Sequence, residues 1–277
     1  MRRAVITVLL VGLLGAVGAM AADRPLPQVA AAPIDPREQA SPDVAPSPEL
    51  AAPPAAVTVP SRPRAAVPLQ VVATGWELLA PAVAMHGGVG GAAAVPGSQF
   101  EAAGVRVGLS ASADATAIEA RLGRGGEVGD GAEVAVMPLP VFLASYERLQ
   151  ALSPQVFAVV GWSRGADVLT GSASWLRRPP PRGRVGLAGE RGSAHAMLGL
   201  FALAQAGVDP SRIDLVDEGG ALQARARGRS GSIDARQVVL STADAVHLVP
   251  IVAVAPKGVI AAKRDALAAW LRVWFAG

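Results

Sequence analysis

The stretch Arg184–Gly207 reads RVGLAGERGSAHAMLGLFALAQAG and predicts the class of fold. Residues 184–188 predict a short strand, and 193–206 predict a helix that Gly207 closes. Ser193 is placed to cap this helix, and the glycines before it allow close approach to the backbone. A strand that leads through a glycine-rich loop into a helix is the repeating unit of an α/β fold.

The same alternation runs from residue 68 to the C-terminus. Further strands are predicted at 69–74, 104–109, 133–137, 156–160, 212–216, 238–240 and 251–255. Further helices are predicted at 77–86, 114–122, 139–152, 221–227 and 265–275. Strands that alternate with helices predict parallel, right-handed βαβ connections. We therefore expect an α/β fold.

Residues 1–22 have the layout of a secretory signal peptide. Arg2 and Arg3 form a positive start, an uncharged apolar run covers 4–17, and small residues stand at 19 and 21. This order of features is typical of export signals. We expect a periplasmic protein; an uncleaved membrane anchor over 4–22 is the alternative.

Residues 23–67 differ in composition from the rest of the chain. Eleven of these 45 residues are proline and none is aromatic. Such a segment buries too little apolar surface to offset its ordering entropy, and proline biases it toward extended conformations. We predict a disordered linker, either a tether or an inert leader, followed by a globular domain over 68–277.

The composition excludes several kinds of site. The chain has no cysteine and only three histidines, which excludes disulfides and thiolate metal sites and leaves little for a histidine-rich one. We expect no metal and no cofactor. The net charge of +3 comes mostly from dispersed arginines, and only 4% of residues are aromatic, so we expect no nucleic-acid binding. We also expect a monomer.

Ligands of open α/β sheets bind beyond the carboxyl ends of the strands. Two of the five tryptophans, Trp76 and Trp162, lie at such strand ends beside glycine. An indole there can line a pocket while its N–H remains a donor. The N–H groups of Gly189–Ser193 could hold an anion at the helix start, although most capped helices bind only their own cap.

A serine hydrolase is the alternative function. Gly161–Gly165 matches the G-x-S-x-G pattern of a nucleophile elbow, with Ser163 as the nucleophile. Asp217 or Asp234, followed by His247, would complete a Ser, Asp, His order. The elbow must lead into a helix, however, whereas the residues after position 165 are strand-like. This context argues against the hydrolase.

The region from about Pro68 to Gly277 resembles the type II periplasmic solute-binding proteins of ABC importers. It looks closest to the branch of sulfonate, nitrate and thiamine-precursor binders. The order and spacing of five segments carry this resemblance: Leu69–Trp76, Glu133–Pro138, Val159–Gly165, Gly186–Val208 and Leu240–Ala245.

The resemblance implies two α/β lobes with a ligand cleft between them and crossover strands near 158–165 and 238–250. The protein would not be an enzyme; it would capture a small organic solute, with an anion as one option, and present it to an inner-membrane ABC permease. Glu77 beside Trp76 would instead favour a cation. The ligand-binding residues implied are Gly75, Trp76, Glu77, Met137, Pro138, Leu139, Trp162, Ser163, Arg164, Gly192, Ser193, Ala194, Thr242 and Asp244.

Three features depart from the family pattern. The proline-rich linker is unusual, the segment 217–237 is short, and the chain ends at Gly277 where family members usually continue with further helices. If the chain is truncated, we expect the apolar face of helix 265–275 to be exposed. A degenerate envelope protein whose cleft serves protein contacts is a third hypothesis.

Overall fold

A computed structural model describes residues 66–87, 95–127, 129–227 and 233–277. The predicted signal peptide and nearly all of the predicted linker lie outside these residues; the first strand already begins at Val67. Within the described ranges, no helix is both long enough and apolar enough to cross a bilayer.

The described residues form ten strands and eight α-helices, with short 3₁₀ turns. The strands are β1 (Val67–Ala73), β2 (Val105–Ala111), β3 (Val134–Pro138), β4 (Pro154–Trp162), β5 (Asp167–Gly171), β6 (Val185–Ala188), β7 (Ile213–Val216), β8 (Leu222–Ala226), β9 (Val238–Ser241) and β10 (Pro250–Pro256). The helices are α1 (Ala80–His86), α2 (Gln99–Ala102), α3 (Ala115–Arg124), α4 (Leu139–Leu149), α5 (Ser174–Arg177), α6 (Ala194–Gln205), α7 (Lys257–Ala262) and α8 (Arg264–Trp274).

Lobe 1 is built on a five-stranded mixed sheet with the order β2-β1-β3-β10-β4. β1 pairs in parallel with β2 and β3, and β10 runs antiparallel to β3 and β4. Leu69 and Val71 belong to the core on one face of the sheet, and Val72 belongs to the core on the other. Because helices cover both faces, these strands are nearly continuous apolar runs.

The last helix, α8, packs on lobe 1. Its residues Trp270 and Trp274 are 0% and 3% exposed, and Trp274 Nε1 donates to the Val160 carbonyl at 3.2 Å. Phe157 on β4 packs against the ring of Trp270. The expectation that the apolar face of this helix would be exposed is therefore wrong: that face forms part of the lobe 1 core.

Lobe 2 is a second five-stranded mixed sheet with the order β7-β6-β8-β5-β9. β6 is parallel to β7 and β8, whereas β5 is antiparallel to β8 and β9. Leu169, Leu187 and Leu222 from the three central strands pack with Leu198 and Leu203 of α6. This arrangement leaves the carboxyl ends of β6, β7 and β8 at one edge, together with the start of β5.

One predicted element has the wrong type. Residues 221–227 are predicted as a helix, but Leu222–Ala226 is β8, at the centre of the lobe 2 sheet. Leu222 and Ala224 are buried, whereas Gln223 and Arg225, which alternate with them, are more exposed. This period of two is a strand pattern, and sheet pairing overrides the helix propensity of alanine, leucine, glutamine and arginine.

The chain passes between the two sheets twice. Residues 163–166 connect β4 to β5, and residues 242–249 connect β9 to β10. Both sheets belong to the same compact unit. The prediction of a two-lobed α/β fold is confirmed, and each sheet combines parallel with antiparallel strands.

Candidate functional site

The strands of lobe 2 separate at their carboxyl ends. The last residue pair between β6 and β8 is Ala188 with Gln223. Beyond it, β8 continues beside β5 to Ala226, whereas Gly189 donates its N–H to Val216 at the end of β7 at 3.0 Å. The two strands separate here, and a crevice between strand ends is where open α/β sheets bind ligands.

A cavity of about 670 Å³ occupies this opening. Its walls come from Ala188–Glu190, His195, Asp217–Gly219 and Gln223–Ala226. Small-molecule sites usually have volumes of roughly 300–1,000 Å³. Polar groups from four separate segments thus converge on a space of the size that a small organic molecule needs.

The loop after β7 reaches this cavity because of Gly220. A Cβ on Gly220 would lie 2.9 Å from the Gly186 carbonyl oxygen, closer than real Cβ atoms approach backbone. The next residue, Ala221, donates its N–H to the same carbonyl at 2.8 Å. The glycine therefore lets the loop cross close to β6, which places Asp217 and Glu218 on the cavity wall.

The start of α6 borders the cavity through His195, but its cap is self-contained. Ser193 Oγ accepts the Ala196 N–H at 3.1 Å and donates to the Glu190 carbonyl at 2.6 Å. The Ser193 hydroxyl thus satisfies one of the free N–H groups of the first helical turn, as an N-cap does. The predicted N-cap at Ser193 is confirmed.

Gly192 brings this helix start against lobe 1. Its φ is +82°, and a Cβ there would lie 2.5 Å from the Cβ of Ala144 on α4. Both the left-handed conformation and the contact therefore favour glycine. The predicted ligand segment Gly192–Ala194 thus lies next to α4, the helix that begins at Leu139.

A buried hydrogen-bond cluster joins the two crossover segments. Thr242 is fully buried, and its Oγ1 lies 2.8 Å from Gly165 N, 3.3 Å from Asp167 N and 3.0 Å from Ser163 Oγ. The Thr242 N–H donates to the Asp167 carbonyl at 3.0 Å. We call Ser163, Asp167 and Thr242 the crossover cluster. Its hydrogen bonds hold the β4–β5 and β9–β10 connections together at the edge of lobe 2.

The carboxylate of Asp167 connects the crossover cluster to the cavity. Its Oδ2 accepts the Ser163 hydroxyl at 2.6 Å, and its Oδ1 lies 3.9 Å from Nδ1 of His195. The side chains of Asp167 and His195 are only 7% and 16% exposed. Because His195 also lines the cavity, a shift of its ring would change its distance from the Asp167 carboxylate of the crossover cluster.

The contacts of Ser163 differ from those of a serine nucleophile. The chain after Ser163 enters β5 rather than the helix that follows a nucleophile elbow. The Ser163 hydroxyl donates its hydrogen bond to Asp167, within the crossover cluster. The ring of His247 packs nearly edge-on against that of Trp162, with the ring centroids 4.8 Å apart. Asp217 lines the cavity and Asp234 is exposed. The geometry therefore assigns Ser163 a structural position between the lobes.

The first predicted ligand loop of lobe 1 follows β1. Gly75 is extended, and the Glu77 carboxylate folds back over it, 2.0 Å from where a Cβ on Gly75 would lie. Trp76 is 43% exposed, which is unusual for so large an apolar side chain. The indole is thus available at the carboxyl end of β1.

The second predicted loop of lobe 1, Met137–Leu139, follows β3. Met137 is buried in the core, and the next two residues are half-buried. Thr74 donates its N–H to the Val136 carbonyl at 3.1 Å, so the ends of β1 and β3 are adjacent. The two predicted loops of lobe 1 therefore lie side by side.

The other predicted residues lie on the crossover segments. Trp162 is half-buried, and Arg164 is exposed. Asp244 accepts hydrogen bonds from the Ser241 N–H at 2.8 Å and the Ser241 hydroxyl at 2.7 Å. These bonds lower the pKa of the Asp244 carboxyl, which is therefore ionised at neutral pH and stabilises its own turn.

Several cavity residues had no clear sequence signal. Residues 217–218 are an exception, because an acidic pair followed by two glycines directly after a predicted strand is a recognisable pattern for a strand-end site. Gln223 and Arg225 were hidden by the helix prediction. Outside the cavity, Asp167 of the crossover cluster belongs to no local motif. Across the described residues, no three His, Asp or Glu side chains are grouped as metal ligands.

No protein-family model matches the sequence, and neither does any curated protein. Solved structures do resemble the fold. The periplasmic sulfonate-binding protein SsuA of an ABC transporter from Methylobacillus flagellatus KT gives a TM-score of 0.52 at 12% identity, over 76% of this chain and 68% of that chain.

Two further solved structures resemble the chain more weakly. The zinc-bound ligand-binding component of an ABC-type import system from Staphylococcus aureus gives a TM-score of 0.49 at 12% identity, over 75% of this chain and 72% of that one. The periplasmic aliphatic sulphonate-binding protein SsuA from Escherichia coli gives a TM-score of 0.47 at 12% identity, over 75% of this chain and 68% of that one. At such low identity, the likeness to the Methylobacillus protein shows a shared periplasmic-binding-protein fold.

Proposed function

We propose that this protein is an extracytoplasmic solute-binding protein that captures a small organic molecule for an ABC-type importer. The observation that carries the proposal is the cavity at the carboxyl ends of β6 and β8. Open α/β sheets bind their ligands at such switch points. The fold shared with a periplasmic binding protein supports the same role.

Ligand capture would use both lobes. All of the described residues that line the cavity belong to lobe 2, so closure of lobe 1 over it would complete the site by hinge motion. In this proposal Gly75–Glu77 and Met137–Leu139 contribute from lobe 1, with Trp76 as the main apolar contact. Gly192–Ala194 would form the rim nearest lobe 1.

The residues of the crossover segments would act differently from the cavity residues. Ser163 and Thr242 are buried in the crossover cluster and would set the geometry of the hinge. Trp162, Arg164 and Asp244 would adjust it from the surrounding segments. This assignment makes the protein a binding module rather than an enzyme, because the G-x-S-x-G serine has a hinge position.

The location and partner follow from this role. A binding protein of an importer works outside the cytoplasm and delivers its solute to a membrane permease. The export signal predicted over 1–22 and the linker predicted over 23–67 are consistent with a periplasmic domain held near the inner membrane. We propose that the protein acts as a monomer.

A thermal-shift screen of the full chain tests the proposal. The compounds are alkanesulfonates, nitrate, phosphate, pyrimidines, amino acids and polyamines. A ligand at about 100 times its Kd adds about 2.7 kcal/mol to the free energy of unfolding. For a domain of this size, that raises the Tm by roughly 5–10 °C. A folded protein whose Tm no compound changes would contradict solute binding and favour the degenerate envelope protein.

Two variants locate the site of a compound that binds. Gln223→Ala changes the cavity floor, and its matched control is Gln150→Ala, an exposed position in lobe 1. We expect only the first to weaken binding. Trp76→Ala tests the contribution of lobe 1, with the exposed Phe275→Ala as its control. Equal binding by Gln223→Ala and wild type would place the ligand elsewhere.

A further inference from the structure

A buried carboxylate joins the wall of the cavity to the connections between the lobes. We propose that His195 is a positioning residue that communicates solute binding to the crossover cluster through Asp167. The inference rests on the proposed solute-binding function and deepens it, because it names the contact by which an occupied cavity changes the hinge.

The contact between His195 and Asp167 is buried on both sides. Nδ1 of His195 lies 3.9 Å from Oδ1 of Asp167, and the two side chains are 16% and 7% exposed. This separation exceeds the length of a hydrogen bond, about 3.2 Å at most. His195 stands in the first turn of α6 and lines the cavity, whereas Asp167 is the first residue of β5. A small movement of the ring is therefore enough to make or lose this hydrogen bond.

The other oxygen of Asp167 belongs to the crossover cluster. Oδ2 accepts the hydroxyl of Ser163 at 2.6 Å. Ser163 opens the β4–β5 connection, and its N–H donates to the carbonyl of Val249, at the end of the β9–β10 connection, at 2.9 Å. Since a carboxylate is rigid and planar, Oδ2 moves whenever Oδ1 moves toward His195. The position of His195 thus affects both connections.

The hydroxyls of the crossover cluster have two possible arrangements. The hydrogen of Ser163 points to Asp167 Oδ2 in one of them and to Thr242 Oγ1 in the other, since the two hydroxyl oxygens are 3.0 Å apart. The hydrogen of Thr242 likewise has two acceptors, Ser163 Oγ and the Asp167 carbonyl at 3.4 Å. Rotation of the hydroxyls exchanges the arrangements. The cluster is therefore a two-state element, which transmission between sites requires.

The backbone of the two connections suits a hinge. Gly165 has a φ of +81°, and its N–H donates to Thr242 Oγ1 at 2.8 Å. His247 has a φ of +70°, which residues other than glycine seldom adopt. Hinges are a few loop positions that absorb changes in backbone angles. Each connection contains one left-handed residue, and the one in the β4–β5 connection bonds directly to the crossover cluster.

A solute changes the contact through the tautomer of His195. A neutral imidazole carries hydrogen on one nitrogen, and a bond made by the other nitrogen fixes which one. A solute that donates to Nε2 therefore fixes the hydrogen on Nδ1, from which the ring donates to Asp167. Solvent supplies the Nδ1 proton and accepts the one that leaves Nε2, so the charge of the ring is unchanged. The solute class is one with a hydrogen-bond donor group.

Hydrogen exchange of the full chain without solute tests the link. Asp167→Asn keeps an acceptor for Ser163 while removing the carboxylate from His195. We expect His195→Gln and Asp167→Asn each to raise amide exchange in 163–166 and 242–249 by about threefold, as for coupled neighbours, and the double variant to raise it no further. Gln223→Ala changes another cavity side chain, which bonds to Arg225, and is the control that leaves both segments unchanged.

The same measurement is then made with a solute. The probe is the compound of the thermal-shift panel that raises the Tm most, and ¹⁵N-histidine labelling reports the rings of the three histidines, assigned with His195→Gln. In wild type we expect the His195 signals to shift toward the Nδ1–H tautomer and exchange to slow in both segments. In Asp167→Asn the signals should still shift, but the slowing should fall below half. Ser163→Ala cuts the link beyond Asp167 and replaces Asp167→Asn if that variant does not fold.

The outcomes separate the two proposals. Equal slowing in wild type and Asp167→Asn, or additive effects of the two single variants, overturns the link but leaves solute binding intact. Binding that does not change the His195 signals also overturns it, because the solute then contacts other residues. A folded protein whose Tm no compound changes overturns both proposals.

Discussion

Thr242→Val removes a single oxygen from the junction between the lobes. The substitution keeps the β-branched shape of a fully buried side chain but eliminates the hydroxyl at the centre of the crossover cluster. That oxygen is 2.8 Å from Gly165 N and 3.3 Å from Asp167 N. Both N–H groups lose this acceptor, while Ser163 keeps its bond to the Asp167 carboxylate.

The expected cost follows from these contacts. A buried donor left without a partner costs about 1–3 kcal/mol. Asp167 N is buried and bears the full cost, whereas Gly165 is half-buried, so water can satisfy its N–H in part. We expect Thr242→Val to lower the free energy of unfolding by about 2–4 kcal/mol, equivalent to roughly 5–15 °C in Tm for a domain of this size.

Thr170→Val is the matched control on β5. Thr170 is 7% exposed, and its hydroxyl makes one hydrogen bond, to the Gln223 carbonyl at 3.2 Å. We expect Thr170→Val to lower the free energy of unfolding by only about 1 kcal/mol. Urea denaturation measures both variants, and amide hydrogen exchange should rise in segments 163–166 and 242–249 for Thr242→Val alone. If Thr242→Val costs no more than Thr170→Val, the crossover cluster does not stabilise the hinge.

Three further predictions concern other contacts. Lys263→Met should lower the free energy of unfolding, measured by urea denaturation, by about 2–3 kcal/mol. Lys263 Nζ lies 2.6 Å from the nearly buried carboxylate of Glu133, and a buried charge without a partner is unfavourable. Gly192→Ala should cost about 1–3 kcal/mol in the same assay, since it combines a positive φ with a clash against α4. A hydrogen bond from Arg148 lowers the pKa of Glu119, so this pair stabilises the fold above the unfolded-state pKa and the contribution is lost as the pH falls through the folded-state pKa. Arg148→Met should therefore flatten the decline in stability between about pH 5 and 3.

Two of these three predictions have a matched control in the chain. Arg124→Met breaks an exposed ion pair, with Arg124 and Asp130 39% and 71% exposed, and should cost less than about 1 kcal/mol. Gly104→Ala has the same positive φ as Gly192 but nothing within 4 Å of its Cβ position, so it isolates the conformational cost. The first prediction is contradicted if Lys263→Met lowers the free energy of unfolding no more than Arg124→Met does. The second is contradicted if Gly192→Ala lowers it no more than Gly104→Ala does. The third is contradicted if the stability of Arg148→Met falls with decreasing pH as steeply as that of wild type.

The element pattern was largely accessible from the sequence. The helix 193–206 was predicted within one residue of α6 because its signals are local: a capping serine, a run of helix formers and a closing glycine. The strand 251–255 was likewise close to β10. β8 was missed because its five residues favour a helix when isolated, and only pairing with β5 and β6 makes them a strand.

The candidate site was accessible only in part. Its strand-end position led to the prediction that Trp76 lines a ligand pocket; the side chain is exposed there, and its contact with a ligand stays a prediction. The cavity was not predicted, because it depends on where β6 and β8 separate. Ser163 looked like a nucleophile in its five-residue motif, whereas its actual partners, Asp167 and Thr242, are known only from the folded chain.

By itself, the sequence determined the α/β class and most of the strand and helix positions. These depend on apolar spacing, caps and glycines within a few residues, which a linear pattern records. Only the tertiary structure decided the identity of β8, the cavity at the carboxyl ends of β6 and β8, and the crossover cluster. The hydrogen bond between Asp167 and Thr242 joins residues 75 positions apart, and no local pattern carries information about contacts over such a distance.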